Sequence, residues 1–231
     1  MGTYQLSTLR SDVRSNLGNR TDITDTEIDR AINLAQMRVA RRWLWEELER
    51  SYDATLPDTG DAEADKKISF DNNFREVYSF RLIIGEGQSR KLTQLPPRQF
   101  DASIPEPEYY ARRKPLYYTV WNNVAEVWPV QDDTYKAIVR ASVWPNELVN
   151  DSDLSELDRK DDILIAFATS WLFEQKGFSE ESTKWFRIGR SMLENALSEE
   201  ETLPDRELKA PVNYPRRQPG EYWRDPFFKG K

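Results

Sequence analysis

The chain has 231 residues, 38% of them apolar and 32% charged, with a mean hydropathy of -0.79 and a net charge of -7, a composition that supports a folded core under a wet, acidic surface. It contains no histidine and no cysteine, which excludes disulfides, thiol nucleophiles, imidazole bases, Ser-His-Asp triads and Cys or His metal sites. Carboxylate, lysine, tyrosine or Ser-Lys chemistry survives, and the acidic balance argues against tight binding of phosphate backbones by the body of the protein.

Met1 to Arg10 lacks the basic region and apolar core of a secretory signal. Leu6, Leu9, Val13 and Leu17 recur at helical spacing, and Gly18 stands where a left-handed cap would end that helix. Thr24-Asp25-Thr26-Glu27 reads as a capping box, opening a second helix whose stripe of Ile28, Ile32, Ala35, Val39 and Trp43 predicts continuation to about Glu47. Its other face carries Arg30, Arg38, Arg41 and Arg42, read either as a solvated face or as an interface with an acidic neighbouring subunit.

From Ser51 to about Asn150 the pattern turns to β. Tyr78, Phe80, Leu82 and Ile84 alternate with Ser79, Arg81 and Ile83 before a turn at Gly85-Glu86-Gly87. Tyr117 to Trp121 and Val124 to Trp128 flank an Asn122-Asn123 turn, and Tyr135 to Val143 is a third run. An antiparallel sheet of about four or five strands is expected, needing a helical partner to bury its apolar face. Between its runs, Thr93 to Lys114 with Pro115 holds five prolines. This stretch reads as an extended excursion, either an arm that reaches a neighbour or a stiff surface loop.

Helices resume at about Leu157. Ile163 to Phe173 is apolar nearly all round, as a helix buried on several sides requires, but is shorter than the ~20 residues of a membrane span. Gly177 ends it, and Ser179 opens a last helix with Trp185, Ile188, Met192 and Ala196 on its inner face, packed antiparallel to the one before. The acidic cluster Asp151, Asp153, Glu156, Asp158, Asp161 and Asp162 reads as helix-start electrostatics in preference to a divalent-metal loop, which lacks its glycine. The eight tryptophans, Trp121 and Trp128 among them, read as core or interface packing in preference to a sugar platform. Leu203 to Lys231 carries seven Lys or Arg against four Asp or Glu, so it is +3 and the remaining 202 residues are -10. Its prolines exclude a core of its own, and its aromatic residues suit a segment that orders on a partner.

The expected fold is therefore mainly α with a β insertion. Residues 1–50 and 151–202 would form a four-helix bundle, interrupted by a small antiparallel sheet module at 51–150 and followed by an extended C-terminal arm at 203–231.

One succession of motifs is specific: Leu9 and Val13, then Thr24 to Gln36 leading to Trp43-Leu44-Trp45-Glu46-Glu47-Leu48, then Tyr117-Tyr118, Val127-Trp128-Pro129, Tyr135, Trp144-Pro145, Leu148 and the helical hairpin. Over roughly residues 1–200 it resembles the head-to-tail adaptor (connector) family of short-tailed and related bacteriophages. The resemblance implies a non-enzymatic virion protein at the head-tail junction, assembled in the host bacterial cytoplasm without membrane contact, and having no catalytic residue, cofactor or metal. It implies a homo-oligomeric ring of twelve copies beneath the portal protein, with the helices forming the ring. The β module would face a tail nozzle or tail-tube protein, or tail fibres, and genomic DNA would pass through an acidic lumen without specific binding. The portal-binding role falls on Tyr214, Arg216, Arg217, Tyr222, Trp223, Arg224, Phe227 and Phe228, and the subunit interface on Arg38, Arg41, Arg42 and Trp45. Alternatives are a collar or tail-fibre attachment protein, a carboxylate-dependent cell-wall glycosidase, and a bacterial regulatory or scaffold module.

Overall fold

A computed structural model describes residues 3–70, 74–85 and 88–201. Among these the elements run α1 (Leu6–Asn16), α2 (Asp25–Arg42), β1 (Glu49–Leu56), α3 (Ala62–Asp65), β2 (Lys67–Ser69), β3 (Phe74–Gly85), β4 (Gln88–Lys91), β5 (Thr93–Gln94), α4 (Pro97–Ser103), β6 (Tyr117–Trp121), β7 (Val124–Trp128), β8 (Tyr135–Val143), α5 (Asp161–Gln175) and α6 (Ser179–Glu201). Of the described residues 42% are helical and 26% are in strands, and they form an α/β protein with two four-stranded sheets. This overturns the expected mainly-α four-helix bundle with a small sheet module, because the strands are numerous enough to close a core of their own.

In the helical lobe, α5 touches α1, α2 and α6, and burial of Ile163, Leu164, Phe167, Ala168 and Leu172 explains why its sequence is apolar on all sides. Leu6, Leu9 and Val13 of α1 and Ile28, Ile32, Ala35 and Val39 of α2 fill the same core. Three helix ends show how their free backbone groups are satisfied. The Leu6 and Ser7 amides of α1 donate to the carbonyls of Asp153 and Asp151, so the loop before α5 satisfies donors that have no partner inside the helix. Thr24 and Glu27 form the reciprocal capping box. After α5, the amides of Gly177 (φ 82°) and Phe178 donate to Glu174 and Phe173, and the Phe173 and Phe178 rings meet at 6.2 Å, a Schellman cap with its apolar contact. The reversed chain sets Ser182 against Ser170 and Gly189 against Phe167, so α6 runs antiparallel to α5. Of the inner-face residues expected on α6, Met192 and Ala196 join the core, together with Phe186, Leu193 and Leu197.

Helix α2 ends at Arg42, not near Glu47. Trp43 is extended (φ -147°, ψ 167°), and a short 3-10 turn at Glu46–Leu48 leads into β1. The apolar stripe continues past the helix end because Trp45 folds back into the helical core, fully buried, its indole N–H donating to the Val39 carbonyl at 2.9 Å.

The β lobe is a sandwich. One sheet has the order β1-β8-β3-β4 and the other β2-β7-β6-β5. Leu56, Phe80, Leu82, Val139 and Ala141 of the first face Ile68, Tyr118, Ala125 and Val127 of the second, and the Phe80 and Tyr118 rings meet edge to face at 5.2 Å. The sheets thus bury each other, and no helical partner is needed for that face. Asn122 and Asn123 both take positive φ (48° and 62°) in the β6–β7 turn, the backbone a two-residue hairpin demands and asparagine tolerates. The expected excursion after Thr93 instead packs back on the lobe: β5 pairs with β6 in parallel, and Phe100 of α4 and Ile104 are buried. Part of the expected turn at Gly85-Glu86-Gly87, and the whole arm at 203–231, lie outside the described residues.

Candidate functional site

The two lobes meet at a polar joint. Gln36, buried on α2, donates to the Asn146 carbonyl at 2.7 Å and accepts from the Ser155 hydroxyl at 2.7 Å, while Asn33 exchanges two bonds with the Leu148 backbone. The connector from β8 to α5 is thereby fastened along α2. From the sandwich side, the Arg75 guanidinium of β3 donates to the carbonyls of Ala40, Trp43 (2.7 Å) and Arg41 (3.3 Å), and lies 4.9 Å from the Trp144 ring centroid. A cation on the last carbonyls of a helix also opposes the macrodipole. Within the helical lobe, Lys160 at the start of α5 pairs with Glu47 of the turn before β1 and sits 4.3 Å from the Trp45 ring centroid. Nothing in the local pattern around Arg75 marks it as a joint, since its partners lie more than thirty positions away.

Of the residues expected at a subunit interface, Arg41 and Arg42 are exposed in the last turn of α2. Arg38 is exposed at its rim but its guanidinium stacks over Phe167 (4.9 Å) and Phe186 (4.7 Å), closing a cleft of about 330 Å³ with Ser170, Trp171, Glu174 and Ser182. The pattern therefore separates Arg38, a packing residue across three helices, from its two neighbours. Trp45 is a correction: at 0% exposure inside its own lobe it offers no surface to another copy. Tyr214, Arg216, Arg217, Tyr222, Trp223, Arg224, Phe227 and Phe228 lie outside the described residues.

On the sandwich, Trp121 is 71% exposed, so of the two expected roles, core or interface packing, it does not fill the first. It stands at a groove of about 510 Å³ lined also by Lys67, Arg98, Asp101, Thr119 and Glu126. Trp128 is half-buried between Tyr110 and Tyr117.

The ionisable groups are engaged in holding loops. Asp65 is wholly buried; burial works against its charge, but the Thr59 hydroxyl and amide and the Arg112 guanidinium at 2.9 Å outweigh it and hold its pKa below the usual value. Next to it, Lys66 pays a similar cost of burial, overcome by bonds to Glu108 at 2.8 Å and to Glu63, so its pKa is raised. In the acidic loop, Asp153 accepts from the Val149 and Asn150 amides at 2.8 Å, Asp151 pairs with Arg10 at 2.9 Å, and Asp161 accepts the Thr3 amide at 2.7 Å. Burial nonetheless pushes the Asp161 carboxyl up. Among the described residues, no group of three or more Asp or Glu is placed to hold a metal ion, and no helix is long and apolar enough to cross a membrane.

No curated protein matches the sequence. A family model does: the one described as SU10 adaptor protein aligns with residues 4–212, a span that takes in both lobes, the joint between them and every element from α1 to α6. The chain belongs to the SU10 adaptor protein family.

Proposed function

We propose that the chain is a structural protein of a tailed bacteriophage, the adaptor that forms a ring beneath the portal, joins the capsid vertex to the tail and surrounds the path of the DNA. The observation that carries this reading is the family match over residues 4–212. The geometry supports it. Two lobes with separate cores, joined where Arg75 of the sandwich holds the end of α2 and where Gln36 holds the connector from β8, give a repeating unit with two distinct surfaces, as a closed ring of identical copies that meets different neighbours above and below requires. Arg41 and Arg42 are exposed on the helical lobe, where they would meet a neighbouring copy, and Trp121 presents an aromatic anchor on the sandwich for a tail-side partner.

In this reading twelve copies match the portal, and the basic aromatic segment from Tyr214 to Phe228 docks on it, ordering as it binds. Electron microscopy of the protein mixed with portal rings is expected to show a second ring stacked on the portal. The triple variant Trp223→Ala, Phe227→Ala, Phe228→Ala is expected to lose sedimentation with portal. Unchanged co-sedimentation removes the docking role, and a lone protomer at every portal concentration removes the adaptor reading itself.

A further inference from the structure

The solvent face of the first sheet is unevenly charged. Side chains that point away from the sandwich core are Lys136, Ile138 and Arg140 on β8, Arg81 and Ile83 on β3, and Ser89 and Lys91 on β4. The register sets Arg81 directly opposite Lys91, with Ile138 on its other side, and sets Lys136 opposite Ile83 and Arg140 opposite Ser79. Like charges facing each other across strands cost stability, so the fold keeps this arrangement at a price. None of the four cations makes an ion pair among the described residues. The carboxylates of the face lie toward its margins: Asp53 on the edge strand β1 beside Ile138, and Glu49 and Glu76 flanking Ser142 at the far end.

We infer that the face formed by β8, β3 and β4 is a contact surface for the phosphates of duplex DNA, with Arg81, Lys91, Lys136 and Arg140 as its cations. Strand spacing and rise spread these groups over roughly 13 by 10 Å. A duplex presents about eight phosphate charges along that length. A protein partner fits the face less well, because interface centres are rich in aromatic residues and poor in lysine. The part of this face that carries the four cations has two lysines and no aromatic ring; Tyr78 lies at the far end with Ser142, Glu49 and Glu76, and the exposed tryptophan of the lobe sits on the other sheet. In a body of net charge -10, four cations give a local, salt-sensitive grip inside a generally repulsive surface. The inference deepens the adaptor reading by naming the face that meets the genome, yet its test needs neither ring nor portal.

The test is fluorescence anisotropy of a labelled 24-base-pair duplex with the full chain, between 25 and 200 mM NaCl. Four phosphate contacts contribute a slope of about -3.6 to log K against log salt, so that they alone weaken binding about 150-fold between 50 and 200 mM. The variant Arg81→Ser, Lys91→Ser, Lys136→Ser, Arg140→Ser is expected to flatten the slope by that amount and to keep both its melting temperature and its sedimentation with portal. The single variants Lys91→Ser and Lys136→Ser, at exposed positions, are each expected to flatten it by about 0.9, which reads the same contacts should the quadruple variant fold poorly. A control, Arg216→Ser, Arg217→Ser, Arg224→Ser, is expected to retain the sheet-dependent part of the slope. Absence of binding at 25 mM salt, or binding lost in the control and untouched in the sheet variants, overturns the inference and leaves the adaptor reading standing.

Discussion

Replacing Arg75 with alanine removes the sandwich's grip on the end of α2. The guanidinium donates to three backbone carbonyls, those of Ala40 and Trp43 closely and that of Arg41 at 3.3 Å, and it stacks on Trp144. A hydrogen bond from a charged donor contributes ~1.5–3 kcal/mol and a half-exposed cation–π contact about 0.5–1 kcal/mol. The carbonyls end a helix beside solvent and can be rehydrated, so the expected loss is ~2–4 kcal/mol and not the full sum. Arg75→Lys keeps a positive charge near the macrodipole and reaches one carbonyl, recovering about half. Urea unfolding followed by far-ultraviolet dichroism measures this, and because the residue fastens two lobes with separate cores, the transition of the alanine variant is also expected to broaden or split. A loss below ~0.5 kcal/mol with one sharp transition would refute the joint. Ring assembly by the same variant then reports whether the angle between the lobes matters to closure.

Phe80→Ala opens the centre of the sandwich, where the ring is fully buried against Tyr118, and is expected to cost ~3–5 kcal/mol by urea titration. At Gly189 an added methyl would lie 3.1 Å from the Phe167 ring and 3.2 Å from Ala166. Gly189→Ala is therefore expected to lose ~1 kcal/mol net, crowding outweighing the gain in helix propensity, with a rise in melting temperature as the refuting result. The pH profile has two opposed contributions. The Asp65 pKa is depressed from 3.8, so its stabilisation is complete above that value and lost as pH falls below it, and Asp65→Asn is expected to reduce the acid sensitivity of the melting temperature. The Asp161 pKa is raised from 3.8, so its ionised form carries a penalty that appears as pH rises through the folded value. Asp161→Asn is expected to gain stability at pH 7 and to gain none at pH 3.

Helical features were legible wherever a local rule fixes them. The capping box at Thr24, the left-handed caps at Gly18 and Gly177, and the all-round burial of α5 each follow from residues within one or two turns of one another. The end of α2 was not legible: Trp43-Leu44-Trp45 prolongs the apolar stripe, and only the tertiary return of Trp45 to Val39 shows that the helix has stopped. The second sheet was hidden for a different reason. Its edges, Lys67–Ser69 and Thr93–Gln94, are too short and polar to alternate visibly, and the edge strand Gln88–Lys91 of the first sheet is exposed throughout. Strand β1 did carry a signal, the alternation of Tyr52, Ala54 and Leu56 opposite Val139, Ala137 and Tyr135. The exposure of Trp121 and the cation cluster on β8, β3 and β4 depend on which face of a sheet meets water, and that is set by the register between strands distant in sequence.

The helical core is divided in the chain: α1 and α2 are made first, the whole sandwich follows, and α5 and α6 come last. During synthesis, then, the apolar sides of Leu9, Ile28 and Val39 emerge before the α5 surface that completes their burial, while strands β1 to β8 have all their partners to hand once Val143 has left the ribosome. A released chain truncated near residue 150 should accordingly hold a finished sandwich trailing two sticky amphipathic segments that bind a fluorescent apolar dye, and the full-length chain, which adds the last two helices, should not bind it.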